Sequence, residues 1–258
     1  MPIDAHVHLP YPRDFGRHCS EALFRDVSEA VKLAQGAGVT GMVFNTWLGV
    51  FCDTAEEVDA ANRDALELYG TMPEYLYPGA VIHPRAVETS LAWLDRFRER
   101  GLVWVGELVP YRCGIDFDRP EWTPLFERCR DNGQIVQLHN SAGVVALAER
   151  MPELNIVCAH ITAEWLAPLA ALPNVRLDLS GANGGLRLGS MESALAAFGP
   201  ERLLWATDYT AFDPACFVIR LERRVIGPRH APEDRLRKFA AASRLRRERS
   251  RIRGRAVT

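Results

Sequence analysis

The stretch Ile3-Asp4-Ala5-His6-Val7-His8-Leu9-Pro10-Tyr11-Pro12 decides how the chain folds. Its first half is an apolar strand carrying two imidazoles. Its second half lacks the glycine-rich turn that follows the first strand of a doubly wound nucleotide-binding sheet. Side chains alternate along a strand, so His6 and His8 share a face. Two neutral imidazoles on one rigid strand make half of a transition-metal site, although the same spacing also arises by chance.

Working outward, the rhythm of that strand recurs. Apolar segments follow at Val39–Trp47, Tyr75–His83, Leu102–Val109, Gln134–His139, Asn155–His160, Val175–Leu179 and Leu203–Tyr209. Amphipathic stretches alternate with them. The first is Ser20–Ala37, with Leu23, Val27, Val31 and Ala34 on one face. The second opens on a Thr54/Glu57 capping box. Others run through Leu91, Leu94 and Phe97, over Glu121–Asp131 and Val144–Arg150, through Trp165 and Leu169, and around Met191–Phe198. Asp213-Pro214 caps the last, which continues to Leu221. Near-continuous apolar strands alternating with helices predict a parallel sheet covered by helices. Eight such units in one α/β chain of 258 residues predict a single (β/α)8 TIM barrel over residues 1–230, followed by a basic helical tail over 231–258.

Composition fits that picture. The chain is 48% hydrophobic and 25% charged, ordinary for a soluble globular protein. No apolar run approaches the ~18–20 residues that span a bilayer, and the start does not read as a signal peptide. The six cysteines have no close pair at metal or redox spacing and read as reduced thiols, so a cytoplasmic location without membrane contact is expected. Of the 31 basic and 33 acidic residues, 14 and 4 lie from Arg220 onward, giving that end +10 and the rest −12. The arginine run from Arg244 to Arg255 raises nucleic acid as a partner, but no aromatic follows Phe239 to stack on bases. A solvated terminal helix is the expectation there.

Barrel active sites lie at the C-terminal ends of the strands. Those ends read His6/His8, Trp47, His83, Glu107, His139, His160, Ser180 and Asp208. Five of the seven histidines fall at such an end, which a random scatter would not produce. Taken together, His6, His8, His139, His160 and Asp208 read as a metal site.

These fragments, His-Val-His after Asp4, Gln-Leu-His-Asn at 137–140, Cys-Ala-His at 158–160 and Ala-Thr-Asp-Tyr at 206–209, resemble the amidohydrolase superfamily. The similarity is to its amidohydrolase-2 branch, which includes aminocarboxymuconate-semialdehyde and resorcylate decarboxylase types as well as hydrolases. The resemblance implies that His6, His8, His139 and Asp208 ligate a divalent metal, usually zinc, and that His160 is the catalytic histidine. Gly106-Glu107 instead resembles the metal-dependent deoxyribonuclease branch, which makes Glu107 a candidate bridge between two ions.

Three imidazoles and a carboxylate leave a position for water whose pKa the metal lowers from 15.7 to about 7. Asp208 would orient that water, and His160 would serve as general acid–base. The expected function is therefore metal-dependent hydrolysis of a small amide, ester or lactone. The alternative is non-oxidative decarboxylation of an aromatic or unsaturated acid, which needs overlapping residues. Trp47, Leu48, Val50 and Phe51 form an apolar rim fit for a ring or for a partner subunit, with a homodimer the expected assembly. Trp47, His83, Arg112, Asn140 and Arg187 are candidates for substrate contact.

Overall fold

The structure, a computed structural model, describes residues 2–11, 24, 26–160, 162–181 and 185–222. The proposed basic tail, His18, Cys19, His230 and the start of the first expected helix lie outside the described residues. Strands β1 (Asp4–Leu9), β2 (Met42–Thr46) and β3 (Leu76–Pro78) form one parallel arc. Strands β4 (Trp104–Leu108), β5 (Ile135–His139), β6 (Asn155–Ala159), β7 (Val175–Asp178) and β8 (Leu203–Leu204) form a second. Parallel bridges Ala80–Val105 and Val7–Tyr209 join the arcs at both seams, so eight strands make one ring. The expected TIM barrel is what forms.

The covering helices are α1 (Val27–Gly36), α3 (Ala55–Thr71), α4 (Val87–Glu99), α6 (Thr123–Asp131), α7 (Ala142–Arg150), α8 (Ala163–Ala170), α9 (Ser190–Phe198) and α10 (Pro214–Glu222). Two short helices, α2 (Trp47–Phe51) and α5 (Pro110–Cys113), sit directly on strand ends. Local chemistry explains several starts. Asp26 Oδ1 accepts Glu29 N at 2.9 Å, and the Thr54–Glu57 capping box forms in both directions. Asn62 on α3 then grips β3 beyond its end: its amide donates to Val81 O at 2.8 Å and its oxygen accepts Val81 N at 2.8 Å.

Three elements differ from expectation. Tyr75–His83 is strand only over Leu76–Pro78, beyond which Gly79 N bonds Phe44 O at 2.7 Å and Ala80 N turns to Trp104 O at 2.8 Å. Leu203–Tyr209 is strand only at Leu203–Leu204. Beyond it the chain still follows β1, with Ala5 N bonded to Trp205 O at 3.1 Å and Asp208 N to His6 O at 3.0 Å, until Asp208 turns into the left-handed region at φ 65. Trp47 to Phe51, expected only as an apolar rim, is the helix α2.

The interior is layered. Ala5, Val157, Leu204 and Ala206 pack together at one level with Trp104 and Ile135 against them. Gln137 links this level to the next, its amide donating to Ala5 O at 3.2 Å and Asp178 Oδ2 at 2.8 Å. The larger core, including Val7, Leu9, Phe44, Phe97 and Phe126, lies between strands and helices. Gly106, at φ +93, lets β4 approach β5: any Cβ there would overlap Gln137 O. That close approach precedes Glu107 directly. Among the described residues no helix is long and apolar enough to cross a membrane.

Candidate metal centre and active site

β1 delivers His6 and His8 side by side, with Nε2 atoms 3.1 Å apart and side chains almost fully buried. Each ring is held from behind. His6 Nδ1 lies 3.0 Å from Asp178 Oδ2, and His8 Nδ1 donates to Asn45 Oδ1 at 2.8 Å. The Asn45 amide nitrogen donates to Glu107 O, which fixes its oxygen toward His8. With both Nδ1 atoms facing acceptors, each neutral ring keeps its lone pair on Nε2.

Those lone pairs face carboxylates. Glu107 Oε2 lies 3.3 Å from His6 Nε2 and 3.4 Å from His8 Nε2; Asp208 Oδ1 lies 3.7 and 3.4 Å from the same atoms. Glu107 Oε1 is buried without a hydrogen bond, with His160 Nε2 3.4 Å away. Lone pairs and carboxylate oxygens converging this closely require cations between them, either protons or a metal. Two donor triads result, His6/His8/Asp208 and His6/Glu107/His160, each with its ligand atoms within 4.8 Å of one another. The arrangement fits a divalent ion.

Electrostatics agree in sign. Burial works to depress the His6 pKa, but Glu107 and Asp178 override it and push it well above the usual imidazole value. Glu107, despite burial, is held well below the carboxylate range by the imidazoles around it. Asp178 falls to about 2, burial being outweighed by His6 and His160. His160 is raised because Glu107 outweighs burial, whereas burial lowers His139.

His160 occupies a demanding position. Its φ is 63, a conformation costly for a residue with a Cβ and often found at functional sites. Its backbone N–H donates to Asp178 Oδ1 at 3.1 Å, and its Nδ1 lies 2.9 Å from Ser180 Oγ. Ser180 Oγ in turn donates to Asp178 Oδ1. Gly181 completes the niche, since a Cβ there would stand 2.8 Å from His160 Nδ1.

The other candidates separate. Trp47 packs over His8 at a 4.9 Å ring separation, its Nε1 donating to Thr210 Oγ1. His139 touches the His160 ring at 5.0 Å but belongs to neither triad, its Nδ1 donating to Asn140 O at 3.1 Å. Asn140 uses its amide on Ala159 O, Arg187 is exposed, and His83 lines a side cavity. Arg112 stacks over Phe51 at 4.1 Å. Asp178, Asn45 and Tyr111 were missed. Asp178 and Asn45 were visible as polar residues near the C-terminal ends of apolar strands.

The side chains at the barrel mouth close into a circuit. His8 meets Trp47, Trp47 meets Phe51 at 5.9 Å, and Arg112 covers Phe51 and, at 5.5 Å, Tyr111. Tyr111 meets His139 at 5.0 Å, and His139 leads through His160 and His6 back to His8. Half of this collar is imidazole; the rest is aromatic wall with one guanidinium.

Fold and site together define a TIM-barrel enzyme with a metal-binding donor set at its mouth. The chain belongs to the amidohydrolase family, whose Amidohydro_2 model matches residues 3–237. Among solved structures it is similar to 5-carboxyvanillate decarboxylase from Sphingomonas paucimobilis (16% identity, 96% of this chain and 98% of that one, TM-score 0.71). It is similar also to 2,6-dihydroxybenzoate decarboxylase from Rhizobium (14%, 96% and 98%, TM-score 0.72). A third likeness is dihydroxybenzoic acid decarboxylase from Polaromonas sp. JS666, with bound manganese and the inhibitor 2-nitroresorcinol (14%, 97% and 99%, TM-score 0.71). No curated protein matches the chain by sequence. These likenesses correct the hydrolase expectation: all three of these enzymes are decarboxylases, the alternative reaction. They also leave zinc without support over manganese.

Proposed function

We propose that the protein is a metal-dependent, non-oxidative decarboxylase of a small aromatic acid. The observation that carries this reading is the closed collar, in which an aromatic wall and one guanidinium face an imidazole–carboxylate cluster. A flat anion suits that shape and charge. The likeness to three decarboxylases supports it.

In this reading His6, His8, Glu107 and Asp208 hold one divalent ion. His139 would be the further ligand, its Nδ1 being committed to Asn140 O. A bound metal supplies positive charge next to the reacting anion. Imidazole nitrogens with carboxylate oxygens, and no thiolate, suit zinc and manganese alike.

Arg112 pairs with the anionic substrate while Trp47 and Phe51 face its ring. His160 carries the proton on Nε2, the nitrogen that faces Glu107; Ser180 and Asp178 hold the ring in place. The bond from ring carbon to carboxylate breaks with its electron pair left on the ring. The proton from His160 forms the new C–H bond, carbon dioxide leaves, and solvent returns one proton to the imidazole.

Hydroxybenzoates offered to manganese- or zinc-loaded protein should release carbon dioxide, and a chelator should abolish it. His160→Asn should keep the metal and lose ~10²–10⁴-fold in turnover, the usual worth of a general acid–base group. Hydrolysis of esters or lactones without decarboxylation of any aromatic acid would sink the proposal.

A further inference from the structure

Beside the collar, between α2, the chain after β3 and α5, lies a cavity of about 20 Å3. Val50, Ile82, Leu108 and Trp122 form its apolar walls, and His83 and Arg112 are polar members of its lining. That volume takes one or two water-sized groups and no ring. Arg112 belongs to both cavity and collar, so the cavity adjoins the proposed substrate site.

His83 is 5% exposed and fixed from behind. Arg85 N donates to its Nδ1 at 3.2 Å, and its own backbone N–H donates to Ser90 Oγ at 2.9 Å. With Nδ1 accepting, the neutral ring carries its proton on Nε2. Burial lowers the His83 pKa, which keeps the ring neutral. Nε2 makes no hydrogen bond; Asp53 Oδ1 stands 3.4 Å off and is bound by Arg85. A buried N–H without a hydrogen bond is unfavourable, and the His83 side chain that carries it lines a small space with apolar walls. The Asp53 carboxylate nearby disfavours a second anion at that point.

We propose that this cavity is a subsite for a small uncharged oxygen substituent on the substrate ring, a hydroxyl or methoxy group, whose oxygen accepts from His83 Nε2–H. The inference rests on the aromatic-acid reading above and makes His83 the residue that selects the ring-substitution pattern. An analogue with hydrogen or methyl at that ring position leaves the donor orphaned, and sites built this way reject such analogues.

The test compares kcat/KM of the metal-loaded enzyme on benzoates carrying hydroxyl or methoxy against methyl or hydrogen, one ring position at a time. At one position the wild type should favour oxygen by about tenfold or more, the scale of one satisfied hydrogen bond. His83→Leu should erase that preference, while His83→Gln, which keeps an N–H near the same point, should retain part of it. A preference unchanged in His83→Leu, or absent in the wild type, overturns the subsite. A second arm needs no turnover: with ¹⁵N-histidine-labelled protein, phenol should shift His83 Nε2 and toluene should not. A phenol-specific shift in a protein that decarboxylates nothing would keep the subsite and discard the decarboxylase reading. No shift with phenol, or equal shifts with both, would discard the subsite whatever the turnover.

Discussion

At the scale of single residues, the site depends on which nitrogen of each histidine carries a proton. Asp178 and Asn45 take the Nδ1 side of His6 and His8, so both Nε2 atoms are turned toward Glu107 and Asp208. Outer partners of this kind commonly contribute 10–100-fold to metal affinity. Asp178→Asn should therefore weaken manganese or zinc binding by about that factor without removing a ligand. An unchanged dissociation constant by calorimetry would show that Asp178 does not orient His6.

The pH dependence follows from the same contacts. Metal-free His6 and His160 hold their protons above the usual imidazole value, because neighbouring carboxylates outweigh burial. A metal held by His6 must displace the proton on that ring's Nε2, so affinity falls as pH drops and keeps rising past pH 6.5. Calorimetry in buffers of different ionisation enthalpy should detect proton release at neutral pH. Uptake that is flat between pH 6 and 8, with no proton released, would contradict these protonation states.

At the scale of elements, the helices that frame the mouth rest on a few polar grips. Asn62 on α3 holds both backbone groups of Val81, two residues before His83. Asn62→Ala should destabilise the fold by about 3 kcal/mol, since it strands a buried N–H and C=O. Thr54→Ala, which removes half of the α3 capping box, should cost only about 1 kcal/mol. Denaturant unfolding should rank them in that order; equal or reversed losses would show that the Val81 grip is not the stronger constraint.

Much at this scale was legible in the sequence. The Thr54/Glu57 box, the Asp213-Pro214 start and the strand cores all announced themselves through local chemistry or period. Strand lengths did not. Regular strand stops after Pro78 and after Leu204, where the apolar runs alone suggested continuation and only single backbone bonds carry the chain on. The strand-end histidines were legible because the barrel has one functional face. Glu107 was read as a secondary bridge, yet its carboxylate lies within 3.4 Å of His6, His8 and His160. Only the approach of β4 to β5 at Gly106 reveals that central position. The collar was not legible, because Phe51 on α2 meets Arg112 on α5, and Tyr111 beside it meets His139 on β5, across elements far apart in sequence.

At the scale of the whole molecule, the ring of strands brings β1, β4, β6 and the chain after β8 to one mouth. Distant single residues there become one donor set. The short helices α2 and α5 add aromatic side chains and one guanidinium beside this donor set. The chemistry we propose for this mouth is removal of carboxylate with delivery of a proton to ring carbon. The most direct test is NMR of a dihydroxybenzoate, ¹³C-labelled in its carboxylate, incubated in D2O with the manganese-loaded protein. The account predicts labelled carbon dioxide or bicarbonate, together with an arene carrying one deuterium at the former carboxyl position, and neither after chelation. A label that stays in the carboxylate across the hydroxybenzoates, while the same loaded protein cleaves an ester or lactone, would contradict it.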